Sequence, residues 1–130
     1  MVEKPKVAVC GSGAAGSTLA AYLTSRGFQV NLYEHPDFAA TGLKPFQDRG
    51  GIEAKGAVLN GFFKPNMMTT NIKEAFDGVD MVMMTVPAFG HENFAKMIIP
   101  NLQSGQIFLN WTGYWFSVRF WDMFQKKAPA

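Results

Sequence analysis

Three glycines, Gly11, Gly13 and Gly16, stand at the spacing G-x-G-x-x-G within VAVCGSGAAGSTLAAYLTSRG. Glycines spaced in this way let a backbone turn sharply and bring its N–H groups close to a bulky anion. In the turn Gly11-Ser12-Gly13-Ala14-Ala15-Gly16 each glycine has its own task. Gly11 permits the tight exit from a strand, Gly13 leaves room where a pyrophosphate would approach the chain, and Gly16 lets a helix lie close on a sheet. The phosphates would rest on the free N–H groups and positive dipole end of a helix starting near Ala14.

A carboxylate supplies the second group. Glu34 stands 23 residues beyond Gly11, after the alternating run FQVNLY. A carboxylate there accepts hydrogen bonds from the hydroxyls of an adenosine ribose and repels a 2′-phosphate. Neither Arg nor Lys occurs between Glu34 and Lys44, so NAD is expected rather than NADP. Asp37 is the alternative ribose ligand if the strand ends later. The third group is TVPAFGHEN, residues 85–93. Backbone groups of Val86, Pro87 and Ala88 would line the ribose and nicotinamide side, and His91 is the candidate acid or substrate-orienting group. The plainer role for His91 is a surface or capping residue at a helix start. Cys10 reads as a small filler under the glycine turn, because a buried strand end lacks the exposure a reactive thiolate needs.

These groups need a scaffold that brings them to one edge. Lys6 to Cys10 reads as a buried strand ending at glycine. Ala14 to Arg26 reads as a helix with Ala15, Leu19 and Leu23 on one face and Gly27 as its C-cap. Phe28 to Tyr33 alternates as a second strand. Residues 36–49 read as a loop or short helix, and GGIEAKGAVLNGFF, with glycines around two short apolar runs, as a β-hairpin insert. Met67 to Thr70 suits a short strand, and NIKEAFDG a brief helix with Ile72 and Phe76 inward. VDMVMMTVP is a strong strand, and residues 90–99 a helix with Phe94, Met97 and Ile98 on one face. QIFLNW reads as a further buried strand and Tyr114 to Lys126 as a helix. Apolar strands alternating with helices predict an α/β fold: a Rossmann-type, doubly wound, mostly parallel sheet with helices on both faces and a small hairpin insert.

The totals bound the function. A chain of 130 residues with 48% hydrophobic and 17% charged residues suits one globular domain, residues 1–130. Twelve scattered basic residues against ten acidic ones offer no patch for nucleic acid. The single cysteine forms no internal disulfide, and no Cys/His cluster suggests a metal. The polar start MVEKPK shows no secretion signal, and no apolar run is long enough for a bilayer, so a cytoplasmic protein is expected.

GSGAAG, the insert GGIEAKG, the segment IKEAFDGVDMVMMTVPAFGHENF and LNWTGYWFSVRF together resemble the N-terminal domain of the octopine and nopaline dehydrogenases, the opine dehydrogenases. The resemblance extends over nearly the whole chain, and VPAFGHE is its most particular part. Ketopantoate reductases and glycerol-3-phosphate dehydrogenases share the layout and are the alternative, with a non-catalytic NAD-binding module as a third reading. What the resemblance implies is NAD(P)H-dependent reduction of the imine of an α-keto acid and an amino acid. It places the dinucleotide on Gly11, Gly13 and Gly16, with Val86 to Glu92 matching the family's loop. It also implies a helical C-terminal domain carrying the substrate pocket and the main acid–base residues. Only 19 residues follow Trp111, so the expectation is a cofactor domain without that second domain, inactive alone.

Seven of the fourteen residues in WTGYWFSVRFWDMF, residues 111–124, are aromatic. On a helix, Phe116, Phe120 and Phe124 form one stripe and Tyr114, Val118 and Trp121 another. One stripe can pack on the sheet; the second is expected to be exposed or covered by another copy of the chain.

Overall fold

The run VAVC is buried at every position, as a strand covered on both faces requires, and forms β1 (Val7–Cys10). The computed structural model describes residues 3–127. From β1 the chain enters α1 (Ala14–Ser25), returns as β2 (Val30–Tyr33), and passes through α2 (Ala39–Gly42) and α3 (Lys44–Arg49). A hairpin of β3 (Ile52–Ala54) and β4 (Gly61–Phe63) precedes β5 (Met67–Thr69), α4 (Ile72–Phe76) and β6 (Met81–Met84). Then come α5 (His91–Ile98), β7 (Ile107–Asn110) and α6 (Phe116–Lys127).

The main sheet has the order β5-β2-β1-β6-β7, and every pairing in it is parallel. The chain builds outward from β1 in one direction through β2 and β5, then crosses back to add β6 and β7 on the other side. Loops leaving β1 and β6 therefore diverge, and a crevice opens between them at the carboxyl ends of the strands. Alternation along the strands makes two cores. Val7, Val9, Leu32 and Met83 face α1 and the hairpin. Ala8, Cys10, Tyr33, Val82 and Met84 face α4, α5 and α6. The expected hairpin insert is present, with Ile52 opposite Phe63 in antiparallel register.

Three local expectations change. In α1 the buried residues are Gly16, Ala20 and Ala21, whereas Ala15 is exposed and Leu19 and Leu23 are only partly covered. The smallest residues face the strands because the helix start lies too close to them for a leucine. Residues 36–49, read as a loop or short helix, keep that reading as short helical pieces around the buried Leu43. Strand β7 is half exposed rather than buried: Ile107 and Leu109 are 58% and 40% exposed, while Phe108 stacks on Phe120 at 3.9 Å. β7 is an edge strand, and α6 covers only its Phe108 face. Helix α6 itself starts at Phe116, since Tyr114 and Trp115 take positive φ values of 43° and 60° in the preceding turn. Among the described residues no helix is long and apolar enough to cross a membrane.

Candidate dinucleotide site

The three glycines meet three different constraints. Gly11 has φ of +103°, and a Cβ there would stand 2.8 Å from Val86 Cγ1. A Cβ on Gly16 would stand 1.7 Å from the Gly11 carbonyl oxygen, so the close approach of α1 to the turn admits no side chain. Gly13 differs from both. Its φ is an ordinary −68°, and a Cβ would meet nothing within 4 Å. The space beside Gly13 opens into the crevice. Gly13 is also the N-cap of α1 without a side-chain cap, so the first N–H groups of that helix are free for an anion.

Glu34 follows β2 directly and is 5% exposed. Its Oε2 accepts from both the N–H and the hydroxyl of Ser12, each at 2.7 Å, and its Oε1 accepts from the His35 N–H at 2.8 Å. Gly42 in α2 closes over this pair; a Cβ there would lie 2.7 Å from Ser12 Oγ. The buried carboxylate thus has hydrogen-bond donors in place of a cation, and it ties the glycine turn to the end of β2. Burial, with the Glu34 charge second, pushes the Cys10 thiol far above its usual range, which keeps it protonated and inert. Burial also lifts the Tyr33 hydroxyl to about 12, with Cys10 and Glu34 adding to the shift.

A cavity of about 350 Å³ joins these parts. Gly11, Gly13, Ala14, Ala15 and Glu34 line one side, Phe38 the end, and Val86, Pro87, Phe89 and Asn93 the other. Ser12 and Gly16 lie buried beneath the turn. Ala88 is exposed outside this wall, and Asp37, with an 80% exposed side chain, is also outside it. A second, apolar groove of about 430 Å³ shares Ala14, Ala15 and Thr85 with the first and continues to Leu19, Tyr22, Leu59 and Trp111.

His91, expected to reach into the cleft, is 3% exposed and lines neither cavity. Its Nε2 lies 2.7 Å from Thr112 Oγ1 and 3.1 Å from the Val86 carbonyl oxygen, and its ring packs 4.6 Å from that of Phe116. Burial lowers its pKa below the ordinary 6.5, opposed by the Val86 hydrogen bond.

Four residues that serve the site carry no periodic signal in the sequence. Thr85 donates through Oγ1 to the Cys10 carbonyl at 3.0 Å and so fastens β6 to β1 below Gly11. Phe38 and Asn93 reach the cavity from the short helical turn after β2 and from the first turn of α5. Thr112 lies just beyond β7, beside His91. Only the position of TVPAFG after a strong strand hinted at Thr85.

A wholly parallel sheet in this order, with a glycine turn and an uncapped helix start at the crossover, defines a Rossmann-type dinucleotide-binding domain. The family described as NAD-dependent glycerol-3-phosphate dehydrogenase N-terminus matches residues 6–112, and the chain belongs to that family. Opine dehydrogenase of Arthrobacter sp. is 35% identical over 109 residues, covering 84% of this chain and 30% of the relative. Glycerol-3-phosphate dehydrogenase [NAD(P)+] of Moorella thermoacetica is 30% identical over 107 residues, covering 82% and 31%. Among solved structures, octopine dehydrogenase in complex with NADH and agmatine superposes with a TM-score of 0.68 at 26% identity, covering 82% of this chain and 28% of the other. The chain therefore spans about 30% of the length of the curated relatives it matches.

Proposed function

We propose that the chain is the NAD(H)-binding domain of an opine-type dehydrogenase, whose whole protein reduces the imine of an α-keto acid and an amino acid. The observation that carries the dinucleotide role is the contrast between Gly16, where no Cβ fits, and Gly13, where one would stand free in the crevice. The adenosine half belongs in the cavity bounded by Glu34, Phe38 and Asn93, its ribose hydroxyls beside Glu34. The pyrophosphate belongs on the N–H groups at the start of α1, and the nicotinamide toward Thr85 and Trp111 in the apolar groove. The nicotinamide ring supplies hydride when bound; this chain's residues orient and hold it.

Glu34 and Tyr22 are the titratable side chains among the described residues lining these two cavities; the Glu34 oxygens already accept three hydrogen bonds, and Tyr22 lies on α1 at the outer end of the apolar groove. Acid–base groups for imine reduction are therefore assigned to parts of the whole protein outside the described residues. We also read the outward stripe of α6 as a contact with another copy of the chain, and the protein as cytoplasmic. The test of the substrate class is NADH oxidation by the complete gene product with keto acid plus amino acid, against keto acid alone. A rate that does not require the amino acid overturns the opine reading. The family match favours a second reading, glycerol 3-phosphate oxidation, and reduction of NAD with that compound decides for it.

A further inference from the structure

We propose that His91 and Thr112 are positioning residues that turn the Val86–Pro87 peptide so that its carbonyl faces away from the dinucleotide crevice. The inference rests on the dinucleotide reading and deepens it. The Val86 carbonyl oxygen accepts from Thr112 Oγ1 at 2.8 Å and stands 3.1 Å from His91 Nε2, while those two side chains are 2.7 Å from each other. All three contacts are satisfied together by one arrangement. Thr112 gives its hydroxyl proton to the carbonyl, and His91 is neutral with its proton on Nε2, shared between the carbonyl and the free lone pair of Thr112 Oγ1. The reverse tautomer would set two acceptors, Nε2 and the carbonyl oxygen, against each other. The lowered pKa of His91 agrees with a neutral ring.

The consequence lies on the other side of the peptide. Val86 and Pro87 line the cavity, whereas His91 and Thr112 do not, so the oxygen is drawn outward and the proline ring is presented inward. Val86 also abuts the glycine turn, where a Cβ on Gly11 would strike its Cγ1. A carbonyl swung inward here would bring the negative end of a peptide dipole toward the site of the phosphates. Pro87 has no N–H, so this peptide offers an anion no donor, and its best contribution is to keep its oxygen away. The triangle achieves that from outside the site. It also joins the loop after β6 to the turn after β7, which holds the loop's position relative to the next strand.

The test is binding of NADH, ADP and adenosine by the 130-residue chain and its variants, with adenosine and ADP measured in competition with NADH fluorescence. In Thr112→Val and His91→Phe the affinity for NADH and for ADP should fall at least fivefold, while that for adenosine, which carries no phosphate, changes less than twofold. Thr112→Ser keeps the hydroxyl and should restore what Thr112→Val loses. Should His91→Phe fail to fold, the Thr112 pair carries the comparison. Variants that bind NADH as tightly as the unmodified chain overturn the inference and leave the dinucleotide reading intact. Equal losses for ADP and adenosine also overturn it, since they mark a general loss of packing. An unmodified chain that binds no NADH overturns both.

Discussion

Ser12 reaches Glu34 twice, its backbone N–H and its hydroxyl both donating to Oε2 at 2.7 Å. The acidic residue after β2 thereby has a second task beside any ribose contact: it holds the second residue of the glycine turn. Both partners are buried, Ser12 at 3% and Glu34 at 5% exposure. Removing the hydroxyl leaves the carboxylate with one fewer donor. Hydrogen bonds to a charged group contribute about 1.5–3 kcal/mol. Ser12→Ala should therefore lower unfolding stability by about that amount in urea titrations, and an unchanged midpoint would show that the hydroxyl contact is unimportant.

Cofactor choice follows from the same carboxylate. A buried negative charge beside the ribose should disfavour a 2′-phosphate, so NADH should bind more tightly than NADPH. Glu34→Ala should narrow that difference by roughly tenfold, about 1.4 kcal/mol. Equal dissociation constants for the two cofactors in the unmodified chain would remove Glu34 from this role.

Gly13 and Gly16 should respond differently to substitution. Gly13→Val puts its side chain into the crevice at an ordinary φ, so NADH affinity should drop at least about tenfold while the fold is largely kept, with a melting shift no larger than the ~1 kcal/mol cost of a poor N-cap. Gly16→Ala forces a methyl into the Gly11 carbonyl and should destabilise the fold by about 3 kcal/mol or more. Calorimetric titration and thermal melting on both variants check the pair; a Gly13→Val chain with full affinity sinks the phosphate assignment.

Gly11 and Gly16 were legible because a positive φ at one and a close approach at the other admit no side chain, and Gly13 because it completes their spacing, although its own φ and surroundings would admit a Cβ. Glu34 was legible because alternation from Phe28 to Tyr33 marks where the strand stops. Other features depend on what lies across from a residue, and one chain's periodicity does not report that. Ile107, Phe108 and Leu109 are all apolar, yet Ile107 and Leu109 are exposed because no element packs on that face of the edge strand. His91 has the spacing of a helix start in contact with the crevice. Its burial depends on Thr112 and Phe116, some twenty residues later and beyond another strand. Phe38 ends a short helical turn after β2 and Asn93 stands in the first turn of α5, and no periodicity marks either as facing the cavity.

The lowered pKa of His91 gives stability a dependence on pH of definite sign. Folding favours the neutral ring, so below about pH 6.5 the unfolded chain binds a proton that the folded chain resists. The His91 contribution is fully present above that pH and declines as the pH falls from 6.5 toward the lower folded value. The urea midpoint should be lower at pH 5.5 than at pH 7.5, and His91→Gln should reduce the difference. A variant showing the same drop as the unmodified chain would assign it to other groups.

Helix α6 divides its aromatic residues between two environments. Phe116 and Phe120 are buried at 7% exposure, Phe120 stacked on Phe108. On the other face of the helix Val118 and Trp121 are 66% and 59% exposed, with Trp121 stacked on Phe124, while Tyr114, expected in the same stripe, is 80% exposed in the turn before the helix. One helix thus fills the core with one stripe and presents the other to water. Contiguous apolar surface of this kind is seldom left bare in soluble monomers, and a second copy offers the same stripe for a symmetric contact. Light scattering over a range of concentrations should show mass rising above that of one chain, and Trp121→Lys should shift the rise to higher concentration. Trp121 fluorescence should change on dilution as the stripe is uncovered. A strictly monomeric species at all concentrations, with fluorescence indifferent to dilution and to quencher, would leave the stripe without a second copy to cover it.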